Sequence, residues 1–180
     1  MRRVTVLSAA AMVALAGCAG GGGEAGSVGV PSASTGSVAI APVMLSASAY
    51  VAMASSIDLF QMKSAELALQ RAQDPSNRAL AERALSAHKG TSAQLSFAGR
   101  RLNLLPTPTL NPEHQAMLNE LSSTTDFDKI YSAQQSIVLQ EGVRLHANYA
   151  KSGSSPTLRP VAANAENVMR ANLQALRRSQ

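Results

Sequence analysis

An all-α fold, an up-down four-helix bundle with a short extra helix between its second and third long helices, follows from three observations on this 180-residue chain. Beyond residue 46 the composition is dominated by Ala, Leu, Gln and Arg, which are strong helix formers. Apolar and small residues recur there at alternating steps of three and four, the period of one buried helix stripe. Clusters of β-branched residues and hairpin dipeptides are missing.

The first long helix carries a seam of Met53, Ile57, Phe60, Ser64 and Leu67. Asp74-Pro75 then supplies an N-cap followed by proline at the first helical position, which opens the second helix. Its seam is Ala81, Ala84, His88, Thr91, Leu95 and Leu102, and Pro106 and Pro108 stop it. Asn111-Pro112-Glu113 repeats the cap-plus-proline signal and predicts a short helix to about Leu121. Ser123 with Asp126 reads as a capping-box-like restart of a long helix with Phe127, Tyr131, Gln134, Val138, Glu141 and Leu145 inward. Gly153 ends it. Ser155-Pro156 begins the last helix, with Leu158, Val161, Ala165, Val168, Asn172 and Leu176 on its inner face. Short connections make neighbouring helices antiparallel, and one domain over residues 47–178 is large enough to fold on its own core.

The N-terminus reads as an address. Arg2 and Arg3 form a positive start, and Val4 to Leu15 form a short apolar run. That run is too brief for the roughly 20 apolar residues of a membrane span. Leu15-Ala16-Gly17-Cys18 follows, with the chain's only cysteine, and resembles a bacterial lipobox. The resemblance implies that residues 1–17 are a lipoprotein signal peptide and that Cys18 is lipidated and becomes the new N-terminus. Two or more acyl chains anchor a protein stably, and mature bacterial lipoproteins typically carry three, palmitate among them. Ala19, rather than Asp, favours the outer membrane, so the expected location is the periplasmic side of that membrane. Residues 18–46 form a Gly/Ser/Ala-rich tether; such chains span roughly 5–6 Å × √n. Gly21 to Gly26 matches G-x-G-x-x-G, but no strand precedes it and no helix follows, so it is no dinucleotide site.

Cleavage removes Arg2 and Arg3 and no acid, leaving 14 basic residues against 11 acidic ones, a net +3. The closest basic pairs are Arg100-Arg101 and Arg177-Arg178, with no basic run or interleaved aromatics to suggest nucleic acid. With Cys18 lipidated, no thiol remains for a disulfide or a thiolate metal site. The expected partners are the membrane, through the lipid, and an envelope protein.

Several stretches carry a family resemblance: Ser55-Ser56-Ile57-Asp58-Leu59-Phe60, Leu67 to Arg71, His88, Gln94-Leu95-Ser96-Phe97-Ala98, Phe127 to Tyr131, and Leu145-His146-Ala147-Asn148-Tyr149-Ala150. Together, over roughly residues 47–178, they are similar to the bacterial envelope proteins grouped as domain of unknown function 4142. The resemblance implies a ferritin-like bundle and no established reaction. Members commonly carry signal peptides, in agreement with the N-terminus.

A ferritin-like bundle raises the question of metal. Carboxylate-bridged di-iron sites use Glu-x-x-His pairs, whose i, i+3 spacing puts carboxylate and imidazole side by side; none is present. The resemblance implies a carboxylate after the first phenylalanine and histidines on the second, third and fourth helices. This chain has Gln61, His88, Leu139 and Asn172 there. Leucine cannot bind a metal, and neutral amides are weak ligands for transition metals. His88 with Glu141 falls one short of the three protein ligands usual for a catalytic site. The expectation is therefore no cofactor, with Gln61, His88 and Asn172 as a polar cluster in the core. His146 reads as a packed or half-exposed side chain and His114 as a surface residue of the short helix. Met44, Met53, Met62, Met117 and Met169 lack the tight clustering of thioether copper sites and read as core filling. With no cysteine nucleophile, Gly-x-Ser-x-Gly elbow or phosphate loop, the chain reads as a non-enzymatic structural or interaction module of the envelope. The alternative is a metal-binding or redox-protective protein with a reduced ligand set around His88.

Overall fold

Helix starts in this chain are written in short polar side chains. In the computed structural model, which describes residues 44–179, Ser46 Oγ accepts a hydrogen bond from the Ala49 amide at 3.1 Å and caps α1 (Ala47–Arg71). Asp74 accepts from the Ser76 amide at 2.7 Å and caps α2 (Pro75–Arg100). Asn111 accepts from the His114 amide at 2.7 Å and caps α3 (Pro112–Ser123). Each bond satisfies one of the donors a helix start leaves unpaired.

The last two starts differ from the sequence reading. Ser123 belongs to α3, and α4 (Phe127–Ser152) begins at Asp126 without a side-chain cap. Thr124 Oγ1 instead accepts from the Asp126 amide, making a turn in place of the capping box. Residues Ser155 to Leu158 form a turn, so α5 (Arg159–Arg178) starts later than Ser155-Pro156 suggests, with Pro160 in its first turn.

Every regular element among the described residues is a helix, and none is a strand. α1 packs along α2 and α4 along α5, each pair joined by a short turn; α1 also packs on α4 and α2 on α5, while α3 lies against α1 and α4. One end of the domain gathers the start of α1, the end of α2 and the α4–α5 turn, where the Ser154 amide donates to Leu45 O. At the opposite end Asp128 accepts from the amides of Gln73 and Asp74 and from the Asn77 side chain.

The buried stripes match the seams with informative exceptions. All of Ala81, Ala84, His88, Thr91 and Leu95 are buried on α2. On α1 the stripe is wider than one seam, because α1 touches three neighbours, and Met53 lies outside it at 40 % exposure. On α5 Leu158, Ala165, Asn172 and Leu176 of the expected seam are buried, but Ala162 and Met169 take the places of Val161 and Val168, which are only half-buried. Small and flexible residues set that phase, since the Met169 side chain lies over Gly142 of α4, where any Cβ would press on its sulfur.

Arg71 closes the far end. Its guanidinium donates to the carbonyls of Leu121, Ser122 and Thr124, the unpaired acceptors at the end of α3, and lies 4.9 Å from the centre of the Phe127 ring. Arg71→Ala removes three hydrogen bonds and a cation–π contact together. It is expected to cost about 2 kcal/mol, read as a lower midpoint in urea unfolding, whereas Arg71→Lys recovers only part because an ammonium cannot span all three carbonyls.

Candidate functional site

A chain of polar side chains runs through the middle of the apolar core. Asp58 is the only charged residue between Met44 and Met62, and α1 turns it inward, 3 % exposed. His88 and Thr91, three residues apart on α2, sit side by side and meet the same carboxyl oxygen: His88 Nδ1 at 2.8 Å and Thr91 Oγ1, donating, at 2.7 Å. Across the core, the Asn172 side-chain amide of α5 lies 3.4 Å from His88 Nε2. One tautomer serves both contacts of the ring, with Nδ1–H donating to Asp58 and Nε2 accepting from Asn172. Three helices are thereby tied through one imidazole.

A second histidine lies close by. His146 of α4 is 2 % exposed, and its Nδ1 is 3.0 Å from the Tyr50 hydroxyl. Tyr50 stacks on Tyr149 at 3.8 Å between ring centres and meets the His146 ring edge-on. His146 Nε2 has no hydrogen-bonding partner among the described residues. Burial lowers the His146 pKa to about 4, an effect that nearby His88 reinforces and that Asp58 and Glu166 oppose. Burial, with the charges of Asp58 and Tyr149 behind it, pushes the Tyr50 hydroxyl well above its usual range. Both groups are held neutral by the core.

The third histidine corrects the sequence reading. His114 is fully buried, because α3 packs that face on α1 and α4 and its ring lies 5.4 Å from that of Phe60. Ser56 Oγ accepts from the Asn111 amide and lies 2.8 Å from His114 Nδ1, and His114 Nε2 is 3.1 Å from Glu141 Oε2. The serine hydrogen directed to Nδ1 leaves Nε2–H for the carboxyl group, so every donor is used. α3 is thus pinned to α1 and α4 by one side chain.

The candidates of the sequence reading therefore separate. His88 and Asn172 come together, but Gln61, though fully buried, bonds to neither, and both ends of its amide lack a partner among the described residues. Glu141 is engaged by His114 and does not bond to His88. Leu139 is plain core. Cys18 and the lipobox residues Leu15, Ala16 and Gly17 lie outside the described residues. Among the described residues no three of His, Cys, Asp and Glu converge to hold a metal. Asp58 is the member that the sequence reading did not assign; its isolation in an uncharged stretch was the available signal. No described helix is long and apolar enough to cross a membrane.

Comparisons with known proteins agree with this architecture. A solved structure of CopM in the Cu(II)-bound form is similar in fold, with a TM-score of 0.64 and 17 % sequence identity over 75 % of this chain and 95 % of that one. No curated protein matches the chain significantly. A family model described as "Domain of unknown function (DUF4142)" matches residues 32–178. Covering most of the chain, that match shows that the protein belongs to the DUF4142 family.

Proposed function

We propose that this chain is a lipid-anchored, non-enzymatic module of the bacterial envelope, in which α1, α2, α4 and α5 form a ferritin-like up-down bundle with α3 inserted between its halves. It serves as a structural or interaction module on the periplasmic side of the outer membrane. The observation that carries the reading is how the polar core is used. His88 and His114 bond through both ring nitrogens to neighbouring side chains. An enzyme brings its reactive groups to a cleft, whereas two surface grooves of about 530 and 540 Å³ are lined by neither Asp58 nor His88. The polar network reads as a device that fixes helix register. Cross-linking in intact cells tests the role: a reproducible envelope partner supports it, and a lone monomer counts against it.

The anchor is tested separately. Cys18→Ser is expected to abolish incorporation of labelled fatty acid and to leave unprocessed precursor; unchanged labelling overturns the lipobox.

The copper-bound neighbour favours a second reading, a metal-binding bundle centred on His88. Asp58 orients His88 as a carboxylate orients a metal-bound imidazole. The residues do not fit a metal as they stand, since Nε2 faces the Asn172 amide and no third ligand converges there among the described residues. Metal analysis of protein purified from its native membrane decides the point. Stoichiometric copper, iron, zinc or manganese that His88→Ala loses would favour this reading over the first.

A further inference from the structure

Charge in this domain is sorted toward one end. Residues 44–56, 90–112 and 142–165 build the end where α1 starts; they contain no Asp or Glu, and Glu113 in the first turn of α3 and Glu141 of α4 lie at their edge. They carry Arg100, Arg101, Lys151 and Arg159, with Arg144 a little further along α4. The rest of the described domain mixes nine basic with ten acidic residues.

The same end exposes apolar side chains. Five of the six aromatic residues are buried; the sixth, Phe97, is 62 % exposed one turn before Arg101. Leu105 and Met44 are 68 % and 56 % exposed. Two grooves open there: one of about 530 Å³, between Phe97 and Arg101 of α2 and Pro160 and Val161 of α5, and one of about 540 Å³ beside Leu45, Met53, Glu141 and Arg144. Apolar anchors among which cations outnumber anions match a lipid surface, whose headgroups attract the cations and whose acyl boundary takes the apolar tips; the Glu141 carboxyl group in the second groove is engaged by His114.

We infer that this end of the domain is a docking face for a bilayer surface bearing anionic headgroups. Its placement agrees with that occupant. Met44 enters the domain at this end, 26 residues after Cys18. Gly/Ser-rich chains of that length span roughly 30 Å, so on the anchored reading the bilayer is within reach of this end. The lipid keeps the protein at the membrane, and the face fixes which way the domain points. The inference rests on the anchored reading for its geometry, but the face binds through its own residues and is testable apart from the lipid.

The full-length protein, reconstituted into phosphatidylcholine vesicles with or without phosphatidylglycerol, provides the test. A fluorophore is placed on Ser154→Cys, in the α4–α5 turn, or on Lys129→Cys, near the opposite end, and quenched by a lipid-borne nitroxide. The Ser154 probe is expected to be quenched several-fold more strongly than the Lys129 probe, only with phosphatidylglycerol present, and less at high salt. Arg100→Gln/Arg101→Gln/Lys151→Gln removes three exposed charges that make no side-chain hydrogen bonds. It is expected to abolish the difference with unchanged thermal melting. Equal quenching at both ends, or a triple variant that behaves as wild type, overturns the docking face and favours an acidic protein partner. Failure of the anchor looks different: Cys18 of the wild type then takes up the fluorophore and the protein does not float with neutral vesicles. In that case flotation with phosphatidylglycerol vesicles still reads the face. Each basic side chain strengthens such binding about fivefold, so the triple variant should lose on the order of a hundredfold; equal flotation overturns the proposal.

Discussion

Asp58→Ala is expected to lower the melting temperature by on the order of 10–20 °C. The carboxyl group is the shared partner of His88 Nδ1 and Thr91 Oγ1, and all three side chains lie in the core. Removing one member of a buried pair leaves the others desolvated and unpaired, a loss of about 3–5 kcal/mol, and a domain of this size shifts by a few degrees per kcal/mol. The neighbouring substitutions rank below it. Asp58→Asn keeps an oxygen that can accept from both donors and should cost less than half as much. Thr91→Val keeps the shape, removes one donor and should cost about 1 kcal/mol. Because Asp58 and His88 act as a unit, Asp58→Ala/His88→Ala should cost clearly less than the sum of its single variants. Thermal melts followed by circular dichroism measure all four, and strict additivity would show that the contact carries no coupling.

Much of the helical framework was legible in the sequence because its signals are local. Asp74-Pro75 and Asn111-Pro112 mark helix starts through side chains that bond a backbone amide two or three residues away. The α2 seam reads correctly because a single stripe faces the core. Tertiary contacts decided the remainder. The sequence spacing of α5 allows either Val161 and Val168 or Ala162 and Met169 to face inward, and the fit of Met169 over Gly142 favours the second. His114 looks like a surface residue beside Pro112 and Glu113; its partners, Ser56 and Glu141, stand 58 and 27 positions away. The polar core was half legible. His88 and Asn172 fall on seams, and their pairing follows from facing helices. Asp58 does not follow from the period, because a carboxyl group on an apolar stripe is explained only by the imidazole that meets it.

Acidification should destabilise the domain well before its carboxylates titrate, and His146 should be the main cause. Its folded pKa of about 4 lies below the ordinary histidine value of 6.5 because burial excludes the charged ring. Between those two values the unfolded chain binds a proton that the folded one does not, so stability rises with pH across the window. The contribution is complete above about pH 6.5, declines by up to about 1.4 kcal/mol per pH unit below it, and levels off near the folded value. The full loss is about 3 kcal/mol. Asp128 does not mask it. Burial alone would raise that carboxyl group, but the Asn77 side chain and the amides of Gln73 and Asp74 hold it below its usual range. Its contribution is therefore present above the ordinary carboxylate value and is lost only as the pH falls through its lower folded value. Urea unfolding at pH 7.5, 5.5 and 4.5 is the measurement. His146→Gln keeps a polar group for the Tyr50 hydroxyl and has no proton to gain, so its stability should be nearly flat over the same range. A variant as pH-sensitive as the wild type would locate the titration elsewhere. A flat variant would show that an imidazole held neutral beside Tyr50 makes the packing of α1 against α4 depend on pH.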